Sequence, residues 1–306
     1  MNTSSIKNRG LKLLPHDARD YSHAQVFGSI ALNSLPTEDF IVAIPLEFKN
    51  QDINYPSDFC AAYGAAEAAE AEDQIIMVPE YTFAAAKFLL QQAGDANALQ
   101  EYGLNLRDIA QAGIKIGFLP RIYDPFKCNS PSRPPREFIA NFTNWPEELA
   151  AIAAKYKRAS YFSALKGPYD AFDNVRAALW LNRKLRIPIE TGLMWRQSWT
   201  NCPGGIIPTT YESNGGGHAF NFIGQKTING EIYLVMQSSD GPTDGDNGYY
   251  YFNRQVVNKE IPPFGAILFR SMTPQIAAQL AQSGASVHDS IGIRILRFIS
   301  NIKIYI

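Results

Sequence analysis

The chain is poor in the residue types that hold small secreted or metal-stabilised proteins together. Its 306 residues include three cysteines, Cys60, Cys128 and Cys202, and four histidines. Three cysteines can form at most one disulfide, which excludes a disulfide-stapled scaffold. No histidine stands at ligand spacing from a cysteine pair, so the sequence indicates no metal site and no cofactor.

Strong net charge and long apolar runs are also missing. The formal net charge is -1 at pH 7, which gives no support for a nucleic-acid partner or an anionic membrane surface. No apolar run approaches the roughly 20 residues that span a bilayer, and the polar start "MNTSSIKNRG" lacks the apolar region of a signal peptide. We therefore expect a protein without nucleic-acid or membrane partners, in the cytoplasm or within a larger assembly such as a virion.

What the sequence does contain is helical patterning in its first half and strand patterning in its second. We expect four parts: 1–45, a leader with a first strand; 46–158, a helical lobe; 159–270, a β lobe; and 271–306, a C-terminal helix with a strand-like tail. Asn229-Gly230 predicts a hairpin turn between two strands. The pattern predicts an α+β protein whose helical lobe faces an antiparallel β lobe across a cleft.

Several local expectations follow from the same patterns. Asn105 is predicted to cap a helix and Gly113 to end it. The stretch 248–256, "GYYYFNRQV", is predicted to be a strand. The glutamates of the alanine-rich helix after Cys60, which are Glu67, Glu70 and Glu72, are expected to form a solvated face.

Cys60 is the first candidate for chemistry, because it directly precedes the alanine-rich helical run "AAYGAAEAAEAE". Only a thiolate is a useful nucleophile, and the unpaired N–H groups and dipole of a helix N-terminus favour negative charge there. The alternative is that Cys60 is a small hydrophobic residue that fills the core.

His218 is the matching base candidate. It follows the glycine run "SNGGG" and opens the apolar strand "HAFNFIG". A neighbouring imidazole lowers the pKa of a thiol, although a half-buried histidine at a strand start can also be purely structural. Gln51, nine residues before Cys60, could supply an amide donor to an oxyanion together with the Cys60 main-chain N–H.

The order of these motifs resembles the papain-like cysteine peptidases, in the divergent form found in bacteria and phages. The matching stretches are "KNQ" up to Gln51, "CAAY" from Cys60, "GGGHAF" around His218 and "YLVMQSSDGPTDGDNGYYYF" from Tyr233. The resemblance implies a papain-like two-lobe fold and cleavage of peptide bonds through a Cys60 acyl-enzyme. His218 would be the general base and acid, and Gln51 would help to hold the oxyanion. His218 comes 158 residues after Cys60, slightly beyond the ~130–150 typical of such enzymes.

The third catalytic position departs from the family. The resemblance implies an asparagine that orients the histidine, and the register of "QSSDG" puts Ser238 there, while Gln237 should face the other way on a strand. Asp240 and Asp244 replace the tryptophans that usually shield this position, which implies a wetter and more acidic site. Because only 50 residues precede Gln51, we expect no inhibitory propeptide.

Two functions follow. The first is a thiol-dependent peptidase that acts on a peptide or protein substrate. The second is a papain-like fold kept as a structural or binding module of a larger assembly, with weakened or lost catalysis. The tail 290–306 has isoleucines at period-two spacing and would then dock to another subunit by strand addition, although pairing within the chain is equally open.

Overall fold

The computed structural model describes residues 10–18, 20–44, 46–200 and 202–270. The helices are α1 (His23–Phe27), α2 (Cys60–Asp73), α3 (Pro79–Gln92), α4 (Leu106–Lys115), α5 (Arg136–Ala140), α6 (Glu148–Ala153), α7 (Ala171–Asn182) and α8 (Arg254–Glu260). The strands are β1 (Phe40–Ile41), β2 (Ser160–Ser163), β3 (Ile189–Trp195), β4 (Gly216–Ile228), β5 (Glu231–Gln237), β6 (Tyr249–Phe252) and β7 (Ala266–Arg270). None of the helices in these ranges has the length and apolar character required to cross a membrane.

The described strands form one antiparallel sheet in the order β2-β7-β3-β4-β5-β6, with β1 added to β4. Helices α2 to α6 all precede β2 in the chain, and the long strands follow it. The protein is therefore an α+β molecule of two lobes, as the sequence predicts. The four-part division and its exact boundaries stay a prediction.

Helix α2 lies at the junction of the two lobes. It contacts α3 and α4 in the helical lobe, and β3, β4 and β7 in the sheet. Its residues from Cys60 to Ala71 are all buried. Eight of the residues in "CAAYGAAEAAEAED" are alanine or glycine, and such small side chains let neighbouring backbones approach from every side. A central helix of this kind positions Cys60 rigidly between the lobes.

Turn and cap chemistry accounts for several boundaries. The Asn105 side chain accepts hydrogen bonds from the main-chain N–H groups of Arg107 and Asp108, so α4 begins where the sequence predicts. The prediction that Gly113 ends this helix is wrong, because α4 continues to Lys115. Asn229 and Gly230 both have positive φ angles, at 52° and 83°, and join β4 to β5 in the predicted hairpin.

The strand predicted over 248–256 is only partly present. Strand β6 ends at Phe252, and helix α8 follows from Arg254. The Asn253 side chain accepts a hydrogen bond from the main-chain N–H of Val256 at 3.0 Å, which starts the helix directly after the strand. Val256 and Val257 are buried, so their apolar surface faces the core from a helix instead of a strand.

The expectation of a solvated glutamate face on α2 is wrong. Glu67 and Glu70 are buried, and only Glu72 is partly exposed. Lys49 lies 2.6 Å from a carboxylate oxygen of Glu70, and the same oxygen accepts a hydrogen bond from the main-chain N–H of Met77. Glu70 therefore ties α2 to the chain before it and to the segment leading into α3.

Glu67 faces a second buried carboxyl group, Glu190 of β3. Asn221 of β4 donates a hydrogen bond to Glu67 at 3.2 Å, but neither carboxyl oxygen of Glu190 has a hydrogen-bond partner among the described residues. Burial, opposed by Lys49, raises the pKa of Glu67 to about 8. Burial and the nearby Glu67 raise the pKa of Glu190 well above its usual value. Burial thus favours the protonated, neutral form of both carboxyl groups.

The C-terminal residues 271–306 lie outside the described ranges. The predicted helix over 273–284 and the docking tail over 290–306 fall there. Both stay predictions.

Candidate active site

Cys60 is the first residue of α2 and is fully buried, with 0% exposure. Phe59 precedes the helix, and its side chain makes no capping hydrogen bond. The helix start is held by Asp58, which accepts two hydrogen bonds of 2.8 Å from Arg136. Cys60 therefore opens a helix as the sequence predicts, so its thiol lies at the positive end of the helix dipole.

His218 is the third residue of β4 and is 1% exposed. Its ring meets Trp195 of β3 edge to face, with ring centroids 5.4 Å apart. Trp195 in turn packs against Tyr250 of β6 at 4.9 Å. These aromatic contacts limit the rotation of the imidazole on one side. No sequence motif assigns a role to Trp195 or Tyr250, and their only signal is their position in apolar strand patterns.

A hydrogen bond joins the helix that carries Cys60 to the strand that carries His218. The side-chain amide of Asn221 donates to the main-chain carbonyl of Gly64 at 2.9 Å. Gly64 lies about one helical turn after Cys60, and Asn221 lies three residues after His218. The structure thus brings the start of α2 and the start of β4 to the same part of the lobe junction.

The segment Gly10–Lys12 runs between the two lobes beside this junction. The carbonyl of Gly10 accepts a hydrogen bond from Leu104 at 3.0 Å, and the N–H of Lys12 donates to the Leu104 carbonyl at 2.9 Å. On the other side, the N–H of Leu11 donates to the carbonyl of Gly217, the residue before His218, at 3.0 Å.

Glycines make room for this crossing. A Cβ atom at Gly103 would lie 1.4 Å from the carbonyl oxygen of Gly10, and a Cβ at Gly192 would lie 2.0 Å from the Leu11 side chain. Leu11 itself is 7% exposed. The segment therefore fills a groove bounded by both lobes, next to the residues that precede Cys60 and His218. No sequence signal indicated this segment. The expectation that the chain has no inhibitory propeptide stays a prediction.

Strand register places Ser238 on the same face of the sheet as His218. Phe222 of β4 stands opposite Met236 of β5. Side chains alternate between faces, so His218 and Ser238, each an even number of residues from this pair, share its face. Gln237 stands opposite Asn221 and faces the other way, as the sequence predicts. Ser238 is fully buried beside Asp240 and Asp244. The expectation that this position is more solvated than in the family is therefore wrong.

Gln51 is buried and fixed by its main chain. Its N–H donates to the carbonyl of Ser239 at 2.9 Å, and its carbonyl accepts from the Ser57 hydroxyl at 2.9 Å and from Arg133 at 2.8 Å. Its side-chain amide nitrogen donates to Asp240 at 3.1 Å. The structure thus joins Gln51 to the loop that follows Ser238, which is distant in the sequence.

The other two cysteines have different environments. Cys128 and Cys202 are buried in loops, and none of the three cysteines forms a disulfide. Burial raises the pKa of Cys202 to about 11, and burial together with Glu80 raises the pKa of Cys128 well above its usual value. Neither opens an α-helix. Within the described ranges, no cluster of histidine, cysteine and carboxylate residues could hold a metal ion.

The fold is that of papain-like cysteine proteases. Xylellain, a cysteine protease from Xylella fastidiosa, matches with a TM-score of 0.64 and 18% identity, over 88% of this chain and 97% of that chain. Digestive procathepsin L 3 of Tenebrio molitor larval midgut matches with a TM-score of 0.59 and 13% identity, over 87% of this chain and 77% of that chain. ProCathepsin B S9 from Trypanosoma congolense matches with a TM-score of 0.57 and 11% identity, over 87% of each chain. No family model and no curated protein sequence matches the chain.

Proposed function

We propose that this protein is a thiol-dependent hydrolase that cleaves peptide bonds. The observation that supports this most is the joint placement of Cys60 and His218. Cys60 opens the buried central helix, and the strand that carries His218 near its start is fastened to the same helix through Asn221 and Gly64. A helix N-terminus that stabilises a thiolate and an imidazole that carries its proton are the two requirements of cysteine nucleophilic catalysis.

In the proposed mechanism, Cys60 attacks the substrate carbonyl as a thiolate and forms a tetrahedral intermediate. The main-chain N–H of Cys60 and the side-chain amide of Gln51 stabilise its oxyanion. His218 then gives its proton to the leaving amine, which departs as the acyl-enzyme forms. In the second half, His218 removes a proton from water, the resulting hydroxide attacks the acyl group, and the thiolate leaves.

The test uses alkylation, because it needs no substrate. The protein is treated with iodoacetamide from pH 4 to 9, and mass spectrometry measures labelling at each cysteine. Cys128 and Cys202 serve as internal controls in the same chain, because burial raises the pKa of each. We expect Cys60 to label with a plateau that begins near pH 4–5, as for thiolate–imidazolium pairs, and His218→Ala to abolish that plateau.

A second arm measures hydrolysis of a peptide library by the wild type and by Cys60→Ala. Cleavage that disappears in Cys60→Ala supports the proposal. Labelling of Cys60 that rises only above pH ~8.5, the value of an unperturbed thiol, or cleavage that persists in Cys60→Ala, contradicts it. The structural-module function would then account for the fold.

A further inference from the structure

Ser238, which stands where the resemblance implies an asparagine, has an unusual hydrogen-bonding partner. Its hydroxyl donates to a carboxylate oxygen of Asp244 at 2.6 Å and accepts from the main-chain N–H of Asp240 at 3.1 Å. A hydroxyl has one hydrogen and two lone pairs. Since the hydrogen is given to Asp244 and one lone pair is used by Asp240, the remaining capacity of Ser238 is that of an acceptor.

The strand register places Ser238 on the side of the sheet that carries His218. Continued by one residue, the register that pairs Asn221 with Gln237 sets Ser238 opposite Phe220. His218 is the next residue of β4 on the same face, so it is the diagonal neighbour of Ser238, within reach of a ring. A serine that only accepts is matched to the N–H of an imidazolium, which only donates.

Asp244 is fixed from its other side. The hydroxyl of Tyr250 donates to the second carboxylate oxygen of Asp244 at 2.9 Å and also lies 3.1 Å from the carbonyl of Thr200. Burial and the charge of Asp244 raise the pKa of Tyr250, so the phenol keeps its proton and remains a donor. Tyr250 packs on Trp195, which packs on His218. The carboxylate is thus held in one orientation by groups that also enclose the imidazole.

We propose that Asp244, acting through the hydroxyl of Ser238, is the positioning residue that orients His218 and stabilises its protonated form. The proposal rests on the proposed function. A lone serine hydroxyl rotates freely and orients a ring weakly, whereas a hydroxyl polarised by a carboxylate has a fixed direction and a stronger acceptor oxygen. The Ser238 hydroxyl and the Asp244 carboxylate together would orient the His218 ring, a role that the resemblance implies for the side-chain amide of a single asparagine.

Removal of the Asp244 charge would also affect the other charged and titratable groups around it. They are Asp240 in the same loop, Tyr250 on β6, and Cys202, whose pKa is raised by burial and by Asp244. The negative charge of Asp244 favours the imidazolium. Without it, His218 should lose its proton at a lower pH, so the pH range in which the thiolate–imidazolium pair exists should narrow from its alkaline side.

The experiment compares wild type, Asp244→Asn, Ser238→Ala and the double variant. The readouts are the pH profile of Cys60 alkylation and the titration of the His218 ring followed by NMR. An opposite charge in contact shifts a pKa by about 1–3 units, and one hydroxyl intervenes here. We therefore expect Asp244→Asn to lower the His218 pKa by about half to one pH unit, and not to raise the acid limb of alkylation, across which His218 stays protonated.

Ser238→Ala should reproduce this shift, and Asp244→Asn should add nothing in the Ser238→Ala background. Asp246→Asn is the matched control. Asp246 lies in the same loop and accepts a hydrogen bond from Tyr251 at 2.7 Å, so it should leave both profiles at the wild-type values. Circular dichroism checks the folding of each variant, and Ser238→Ala alone carries the test if Asp244→Asn does not fold.

An unchanged His218 pKa in folded Asp244→Asn or Ser238→Ala would overturn the proposal, as would an undiminished effect of Asp244→Asn in the Ser238→Ala background. A wild type that lacks the acid limb altogether would refute the thiol hydrolase itself. The two failures are thereby distinguished.

Discussion

Asn221 fastens the strand of His218 to the helix of Cys60 by donating a 2.9 Å hydrogen bond to the main-chain carbonyl of Gly64. The same amide nitrogen lies 3.2 Å from Glu67 on the next turn of the helix. Asn221 is 1% exposed, so neither bond competes with bulk water. One side chain therefore sets how the two lobes meet next to both candidate catalytic residues.

Replacement of Asn221 by alanine should weaken this connection. A buried hydrogen-bonding group left without its partner costs about 1–3 kcal/mol, so we expect the free energy of unfolding to fall by that amount in urea titrations at pH 7. Alkylation of Cys60 near pH 5 should also slow, because His218 is held less precisely. Asn144→Ala, which removes an exposed hydrogen bond to the main-chain carbonyl of Phe138, is the control. Equal stability of both variants would contradict the role given to Asn221.

The buried carboxyl groups Glu67 and Glu190 should make the protein less stable as the pH rises. The pKa values of both carboxyl groups are higher in the folded protein than in the unfolded chain, and that of Glu67 rises to about 8. The folded state therefore holds more protons, and the stability that these groups contribute is complete below about pH 4.3 and is lost as the pH rises through the folded pKa. The nearby charges of Lys49, Glu47 and Glu70 act on Glu67 as well.

Glutamine at either position keeps a neutral side chain at every pH. At pH 4 we expect Glu67→Gln and Glu190→Gln to unfold at the same urea concentration as the wild type. At pH 8 the free energy of unfolding of each variant should exceed that of the wild type by on the order of 1–3 kcal/mol. The exposed Glu148→Gln should show no such difference. Parallel stability curves for wild type and both variants between pH 4 and 8 would show that the carboxyl groups ionise normally.

The sequence predicted the parts of the site that depend on local chemistry. A helix beginning at Cys60, the asparagine cap at Asn105 and the turn at Asn229-Gly230 are each specified by a few adjacent residues, and each is present. The order of the motifs further predicted the papain-like two-lobe fold, which the structural comparisons confirm.

The other features depend on contacts between residues distant in sequence, which local patterns do not encode. Charged residues in an alanine-rich helix predicted a solvated face, but α2 is surrounded by other elements, and Lys49 and Asn221, distant in sequence, partner Glu70 and Glu67. The helix α8 was missed because its buried valines have strand propensity and its start depends on the Asn253 cap. The contact between Ser238 and Asp244 depends on the path of a loop, which no periodicity encodes.

Removal of the segment that crosses between the lobes should expose Cys60. Leu11 is buried there, and burial of a leucine side chain is worth about 1.5–3 kcal/mol. We therefore expect a chain that begins at residue 13 to alkylate Cys60 about tenfold to hundredfold faster at pH 6 than one that begins at residue 10. The longer chain is the matched control, because it keeps every contact of Gly10 to Lys12. Equal rates would show that this segment does not limit access to the thiol.

Gln51→Ala should separate hydrolysis from thiol reactivity. Loss of one oxyanion donor lowers kcat by about 10²–10³, because the tetrahedral intermediate carries a full negative charge. Alkylation of a thiolate by iodoacetamide passes through no oxyanion, so the rate and pH profile of Cys60 labelling should stay at wild-type values. Gln51→Glu tests the same contact differently, since it sets a carboxylate against Asp240, the present partner of the Gln51 amide at 3.1 Å. We expect it to hydrolyse peptides no faster than Gln51→Ala at pH 7. A kcat unchanged in Gln51→Ala, or equal losses of kcat and labelling rate, would remove Gln51 from the oxyanion site.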